Sequence, residues 1–579
     1  MFSAPPAAPE TGRPAPSRSR RRWLRQGVLL LLAMGSGVLV ANNPFRPSSE
    51  NPDATARGYL RFKEILSYVD RDYADSVDTE GLADYAVVQM LEKLDPHSVY
   101  IPARERDKAD SFLQSDFDGI GLEFNLFRDT MTVVAPLSGG PAEQAGVQPG
   151  DQILSIANRR VSGSHLTTGR LSELLRGPRG SSVTLELRRR GLGRTLNVPI
   201  ARSRISNSSV DAAYLIDGQT GYIKVSRFAS NTYDEFKAAL GDLRRQGLTR
   251  LVLDLRGNPG GYLDRATRLA DEFIGGSRKI VYTDGKGEQY DSQTYARVAG
   301  EFEDGALVVL VDEGSASAAE VVAGALQDHD RAILVGRRTF GKGLVQQPIS
   351  LSDGGELRLT IARYYTPAGR SIQKPYGANY AEYSRELSGR SARGELTSAD
   401  SIHFAKELRF RTDHGRAVYG GGGIMPDVFV PRDTLAHSAY YTKLMSHGVA
   451  RAFALSFYQA HKEELAGLRF EQFNATFRIS DAQLVSLAAQ AAQAGVSTDV
   501  AAVRRCAPLL RNQAQGFHCP QRLRAGGLLH GAARAGPRAA ARPARRERQH
   551  SSIGLVGQVT QRQPGPEQNR RECKDGPST

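Results

Sequence analysis

No cysteine occurs before residue 506; the three in the chain are Cys506, Cys519 and Cys573. Residues 1–505 therefore hold no disulfide framework, no thiolate nucleophile and no cysteine zinc site. A cysteine-free body suits an oxidising compartment. Surplus charge is missing from the body as well. Of the net +14, residues 1–41 carry +5 and residues 504–579 carry +11, which leaves −2 for residues 42–503. The basic balance therefore does not argue for a nucleic-acid substrate. The glycine turn Gly257-Asn258-Pro259-Gly260-Gly261 contains no Gly-Lys-Ser/Thr, which excludes a phosphate loop of that type.

A chain of 579 residues calls for three or four domains, and 40% hydrophobic content allows each a core. At the N-terminus Arg18, Arg20, Arg21, Arg22 and Arg25 precede the apolar run Val28–Ala41. That run has the length of a signal-peptide core and is short for a membrane span. A cleaved signal and an uncleaved anchor both fit residues 1–44. Residues 45–58 read as a linker. Helical spacing follows at Leu60, Phe62, Ile65, Leu66 and Val69, then at Leu82, Tyr85, Val88, Met90 and Leu91, up to Leu94-Asp95-Pro96-His97-Ser98. His97 reads as structural.

Further on stand Gly119-Ile120-Gly121-Leu122, Pro141-Ala142-Glu143-Gln144-Ala145-Gly146 and Pro149-Gly150-Asp151-Gln152-Ile153-Leu154. The first is a glycine turn entering an apolar strand. Its N–H groups suit a chain-terminal carboxylate, with a peptide added as a strand beside it. From Gly221 the pattern alternates strand and helix. Leu251–Arg256 reads as a strand buried on both faces, running into the glycine turn. Glycines at a strand-to-helix turn let backbone amides face an anion.

The densest chemistry lies in Asp312-Glu313-Gly314-Ser315-Ala316-Ser317-Ala318-Ala319-Glu320. Lys342 follows Ser317 by 25 residues, in Thr339-Phe340-Gly341-Lys342-Gly343, with Gln346 beyond it. A serine hydroxyl needs a base within hydrogen-bond reach. Lysine serves only where burial leaves it neutral, and flanking glycines would let its backbone enter a tight site. The spacing puts Lys342 on a strand. In a straight strand Lys342 and Gln346 would stand about 13 Å apart, so contact demands a bend, which Gly343 would permit. Ser315 is the rival nucleophile.

At these residues the chain resembles the carboxyl-terminal processing peptidases, the Ser-Lys tail-specific family of CtpA, CtpB and Prc type, over roughly Tyr59 to Arg432. The resemblance implies Ser317 as nucleophile, Lys342 as general base and Gln346 as orienting amide. It implies oxyanion donors from Ala318 and from Gly260 or Gly261, and a supporting, structural role for Asp328. Gly119 to Leu122 with the two motifs after it resemble a PDZ domain over 112–200, with Gly119, Ile120, Gly121 and Leu122 as peptide-binding residues. Arg176 lies near a regulatory arginine of some relatives, although a solvated surface role suits it better.

The expected architecture is multidomain α/β. It comprises a helical N-terminal domain (45–111), the PDZ domain and an α/β ClpP/crotonase-like protease core (201–436) with an insertion at 376–414. A helical region (437–503) and a basic disordered tail (504–579) follow, the tail's abrupt composition suggesting a shifted reading frame. The implied function is serine endopeptidase cleavage of exported proteins after capture of an apolar C-terminus, with no metal, cofactor or nucleic acid. An adaptor, a self-oligomer and membrane contact through 27–41 remain open. The rival readings are a silent PDZ scaffold that binds protein tails and a small-ester hydrolase.

Overall fold

The computed structural model describes residues 52–518 apart from 128, 138, 164–165, 378–379, 434–437, 462–463, 465–478 and 498. The expected signal or anchor, residues 45–51 of the linker, and the chain beyond 518 lie outside the described residues. The chain divides into two units after Val87. In the first, helix Pro52–Asp72 begins inside the stretch read as a linker. Proline is tolerated in a first helical turn because its missing N–H would have no partner there. Tyr59, Leu60, Phe62 and Ile65 of this helix are exposed.

In the second unit the PDZ-like segment forms a sheet ordered 122–127, 130–136, 152–156, 182–188, 195–201, with 159–160 beside 152–156. Helices Pro141–Gln144 and Thr168–Leu175 accompany it. Alternate residues Val183, Leu185 and Leu187 point into a core with Met131, Val133, Ile153, Leu171 and Ile200, as a sheet with one covered face requires. Strand Leu122–Phe127 ends the order, so its outer edge is unpaired among the described strands.

The catalytic core is a six-stranded sheet ordered 210–215, 220–225, 250–254, 306–311, 333–336, 428–429. The first pair is antiparallel and the rest are parallel. Helices Thr232–Arg245, Leu263–Asp271 and Ala318–Asp328 bury Phe236, Leu269, Val322 and Leu326 against Ile223, Leu253, Val309 and Leu334. Each such side chain contributes about 1.5–3 kcal/mol on burial. On this face strand Arg250–Asp254 buries Leu251 and Leu253, and on the other it buries Asp254, which accepts the Tyr222 hydroxyl at 2.6 Å. Val252, expected to be buried too, is half-buried on the other face beside Tyr214 and Tyr222.

Three boundaries differ from expectation. Strand Val99–Ile101 pairs with Glu356–Arg358, and the Thr360 N–H donates to Ser98 Oγ at 3.1 Å. Residues 95–101 thus join the core rather than a separate helical domain, because β-pairing satisfies their backbone groups. The insertion contains helix Tyr380–Ala392, whose Arg390 is buried and donates to the Thr339 and Phe340 carbonyls. Finally, helix Val500–His518 crosses the expected onset of disorder at 504. Val503, Cys506 and Leu510 recur at three- and four-residue spacing. They are buried with Leu444, Phe453 and Leu487 of helices Ala439–Ser446, Val449–Ala460 and Asp481–Gln493. A shifted frame from 504 does not fit a helix packed so far into this core.

Asp328 closes the helix that Ser317 opens, about 16 Å away at 1.5 Å per residue. Its carboxylate accepts from Arg370 Nη2 and from the Ala368 N–H at 2.9 Å, with both side chains of the ion pair fully enclosed. Removing one partner strands a buried charge. Asp328→Ala is expected to cost about 3–5 kcal/mol in urea unfolding; a loss below about 1 kcal/mol would show that the pair does not brace the fold.

Candidate active site

Neighbouring parallel strands deliver the two loops of the site. Asp254 is in register with Leu310, so the chains leave the sheet side by side at its C-terminal edge, where open α/β sheets place ligands. The loops are then tied together. Asp312 Oδ1 accepts from the Gly257 N–H at 2.8 Å, and the Asn258 carbonyl accepts from the Ala316 N–H at 2.8 Å. Asn258 is fully buried and accepts the Gly260 N–H on its own Oδ1 at 2.9 Å.

Ser317 sits at the N-cap of helix Ala318–Asp328 with φ 57° and ψ −119°. A positive φ in a serine is strained and persists only when neighbours enforce it. Glu320 does so, accepting the Ser317 N–H at 2.8 Å. The Ser317 side chain is part-exposed and lies near enough to the Tyr364 hydroxyl to act against the burial that raises that tyrosine. The Tyr364 hydroxyl in turn donates to the Lys342 carbonyl. Ser315 is different: it is wholly buried, donates to the Leu255 carbonyl at 2.8 Å and accepts the Asp312 N–H at 3.0 Å. Its hydroxyl fastens the loop and is enclosed, unlike that of Ser317.

Lys342 lies in the irregular segment 337–343, two residues before strand Leu344–Ser350, not on a strand as expected. That segment supplies the bend that brings Lys342 Nζ to Gln346 Oε1 at 2.8 Å. A register shift between Val345 and Gln346 adds to it. The Gln346 amide donates to the His97 carbonyl. Gly341 has φ +92°, and a Cβ on Gly343 would stand 2.7 Å from the Gln373 nitrogen, so both glycines are needed where they are. Burial pushes the Lys342 amine below the usual lysine range, against the attraction of Asp95 and Glu320. No direct bond joins Ser317 Oγ to Lys342 Nζ among the described residues; Tyr364 and Glu320 link them. Lys374 is also lowered by burial, but its ammonium is matched to Glu386 at 3.2 Å.

The oxyanion candidates separate. The Gly260 N–H is engaged by Asn258 Oδ1 at 2.9 Å. The role of Gly260 is steric: a Cβ there, at φ +98°, would meet the Ser317 Cβ at 2.7 Å. Among the described residues the Gly261 and Ala318 N–H groups have no acceptor. Sequence reasoning missed Glu320. Its carboxylate also accepts from Thr339 Oγ1, the Gly341 N–H at 2.7 Å and the Lys342 N–H at 2.9 Å. Complete burial pushes it up to about 7 despite these donors. The Ser317-x-x-Glu320 spacing of a capping box was the available signal. Tyr364, Tyr383 and Arg390 carried no such signal.

In the PDZ-like segment Gly121 has φ +68°, and the Ile120 carbonyl accepts the Ala142 N–H at 2.9 Å. Gly119 pairs with Ser203 at a strand end, so only Ile120 and Gly121 form the turn into Leu122. Arg176 is exposed and lies over the Phe117 ring.

Residues 219–379 match peptidase family S41, residues 132–189 a PDZ domain, and residues 440–517 a family of unknown function. The carboxy-terminal-processing protease of Bartonella bacilliformis is 36% identical over 366 residues, covering 60% of this chain and 83% of that protein. The carboxy-terminal processing protease CtpB of Bacillus subtilis is 33% identical over 373 residues, covering 61% and 76%. The carboxyl-terminal-processing protease of Synechocystis sp. is 40% identical over 296 residues, covering 50% and 68%. The fold and site are thus those of a serine-type endopeptidase that carries a PDZ domain for C-terminal peptides of protein substrates. The chain belongs to the carboxy-terminal processing proteases of peptidase family S41. Membership makes it an exported, non-cytoplasmic protein.

Two substitutions separate the loop roles. Gly260→Ala is expected to lower kcat/KM at least 100-fold, the scale of losing an oxyanion donor, by displacing Ser317. Ser315→Ala is expected to cost about 1–3 kcal/mol of stability while retaining Ser317-dependent cleavage. Activity abolished in a folded Ser315→Ala protein would reverse the assignment of the two serines.

Proposed function

We propose that Ser317 is the nucleophile, Lys342 the general base, Gln346 its orienting amide, and the Gly261 and Ala318 N–H groups the oxyanion donors. The observation that carries this is a half-buried lysine whose amine is held by Gln346 Oε1 at 2.8 Å, on a backbone that shares Glu320 with Ser317. The six-stranded sheet and its glycine turn support a ClpP/crotonase-like core. Substrate entry turns the Ser317 hydroxyl from Tyr364 to Lys342. Serine oxygen attacks the scissile carbonyl carbon and its proton passes to neutral Lys342. The two N–H groups stabilise the oxyanion, each by about 2.7–4 kcal/mol. The Lys342 ammonium then protonates the leaving amine as the C–N bond breaks. Water, giving its proton to Lys342, attacks the acyl-enzyme, and Ser317 departs with that proton.

The open edge of Leu122–Phe127, beside the Ile120-Gly121 turn and helix Thr168–Leu175, supports capture of an extended C-terminal segment with an apolar end. Leu122, Phe124 and Leu126 pack partly against the core containing Leu171 and Leu175. The Arg-flanked run 28–41 is proposed to direct export, as a cleaved signal or as an anchor in the periplasmic or extracytoplasmic membrane face. It lies outside the described residues, among which no helix is long and apolar enough to cross a membrane.

Cleavage of an unfolded protein with an apolar C-terminus is expected to vanish in Ser317→Ala and to weaken when the tail is charged. Equal cleavage by wild type and Ser317→Ala would exclude this nucleophile; binding without cleavage by wild type would favour the scaffold reading. The base works only when neutral, so acylation is expected to fall as pH drops through the Lys342 pKa, which lies below the ordinary value of about 10.4. Acylation unchanged from pH 9 to pH 5 (both about the range ordinary buffers span around a lowered lysine) would exclude Lys342 as base.

A further inference from the structure

We infer that helix Tyr380–Ala392 positions the general base, through Arg390 on the backbone before Lys342 and through Tyr383 on the turn that holds Gln346. This rests on the Ser317–Lys342 reading above. The S41 family match ends at residue 379, immediately before this helix, and the next family match begins at 440.

Tyr383, Glu386 and Arg390 are spaced by three and four residues and so share one helix face. Arg390 is buried, 1% exposed, and its guanidinium donates to the Thr339 carbonyl at 2.7 Å and the Phe340 carbonyl at 3.1 Å. Its charge is matched by Glu386 at 2.6 Å on the same helix. The base loop is therefore held from two sides. Its carbonyls at 339 and 340 face a cation, and its amides at 341 and 342 face the Glu320 carboxylate.

A second route runs through the turn at 95–98. The Tyr383 hydroxyl lies 2.6 Å from His97 Nε2. Asp95 fixes that turn by accepting the His97 N–H at 2.7 Å and the Ser98 N–H at 2.8 Å. The His97 carbonyl then accepts the Gln346 amide, whose oxygen receives Lys342 Nζ. Burial, with Lys342 next, pushes His97 down to about 4, so the ring is neutral at working pH and shares a single hydrogen bond with the Tyr383 hydroxyl.

The groups around Lys342 are Glu320 from the nucleophile helix, Asp95 and His97 from the turn, and Arg358 and Tyr364 from strand Glu356–Tyr365. Lys374 flanks His97 from the segment before the helix, its ammonium 4.1 Å from the ring centres of both Phe340 and Tyr383. The helix supplies Tyr383, Glu386 and Arg390. Loosening it would admit water to the amine, restore its solvation and move it toward the ordinary lysine range.

The test uses the full chain and the pH profile of Ser317 labelling by a fluorophosphonate, normalised to folded protein. Arg390→Lys cannot span two carbonyls with a planar fork. It is expected to label about tenfold more slowly at neutral pH, with its midpoint about one unit higher. Tyr383→Phe removes only a hydroxyl, and is expected to shift the midpoint in the same direction by less. A wild-type midpoint in both folded variants, with only proportional loss of labelled protein, would overturn the inference. Should Arg390→Lys fail to fold, Tyr383→Phe decides alone, an unchanged midpoint overturning it. Labelling that persists in Ser317→Ala would instead remove the nucleophile reading, and this inference with it.

Discussion

The Glu320 carboxylate joins the two halves of the site. It is wholly buried and accepts the Ser317 N–H on one side, with Thr339 Oγ1 and the Gly341 and Lys342 N–H groups on the other. Nucleophile and base arrive from different parts of the sheet, and this side chain sets the separation of their backbones. Burying a carboxylate costs several kcal/mol. Four donors and the positive end of the nucleophile helix offset much of that cost. Burial still wins, as the upward displacement to about 7 shows.

That clamp allows the local strain. Ser317 holds a backbone conformation unfavourable for a residue with a Cβ, at a cost of about 1–3 kcal/mol. Asn258 and Glu320 enforce it from either side, while Gly260 leaves no atom where the Ser317 Cβ must pass. The hydroxyl is thereby presented at a helix N-terminus, with the Ala318 and Gly261 N–H groups nearby in sequence and in the facing turn, both without acceptors among the described residues. The proposed base, Lys342, stands in the same enclosure, where the desolvation that raises the Glu320 carboxyl also lowers the Lys342 amine. One property of the site, its exclusion of water, thus acts on both groups in opposite senses.

Recognition and chemistry are carried by separate cores within the second unit. The PDZ segment has its own apolar cluster, and strand Leu122–Phe127 ends its sheet among the described strands. The C-terminal helices form another core that runs to His518. Its match to a family of unknown function over 440–517 agrees with continuous packing through Cys506.

The parts of the site that depend on local chemistry were legible in the sequence. A hydroxyl in a small-residue turn before a helix, a lysine between glycines, a glycine turn after an apolar strand and the PDZ motifs each reflect constraints within a few residues. The alternation of strand and helix after Gly221 likewise follows from periodicity. What depended on distant partners was not legible. Ser315 and Ser317 differ only because the Leu255 carbonyl and the Asp312 N–H, from two strand ends, enclose the first. Gly260 and Gly261 differ only because Asn258 folds back on one. The contact of Lys342 with Gln346 required an irregular segment where spacing suggested a strand. Helix Tyr380–Ala392 read as part of an insertion because Arg390 has meaning only against carbonyls about fifty residues away in the chain, a separation the hydrogen bonds close and no local pattern records. Local sequence therefore determined which chemistry the chain carries. Tertiary structure decided which of its equivalent groups are free to perform it, because burial and hydrogen-bond occupancy are properties of neighbours in space.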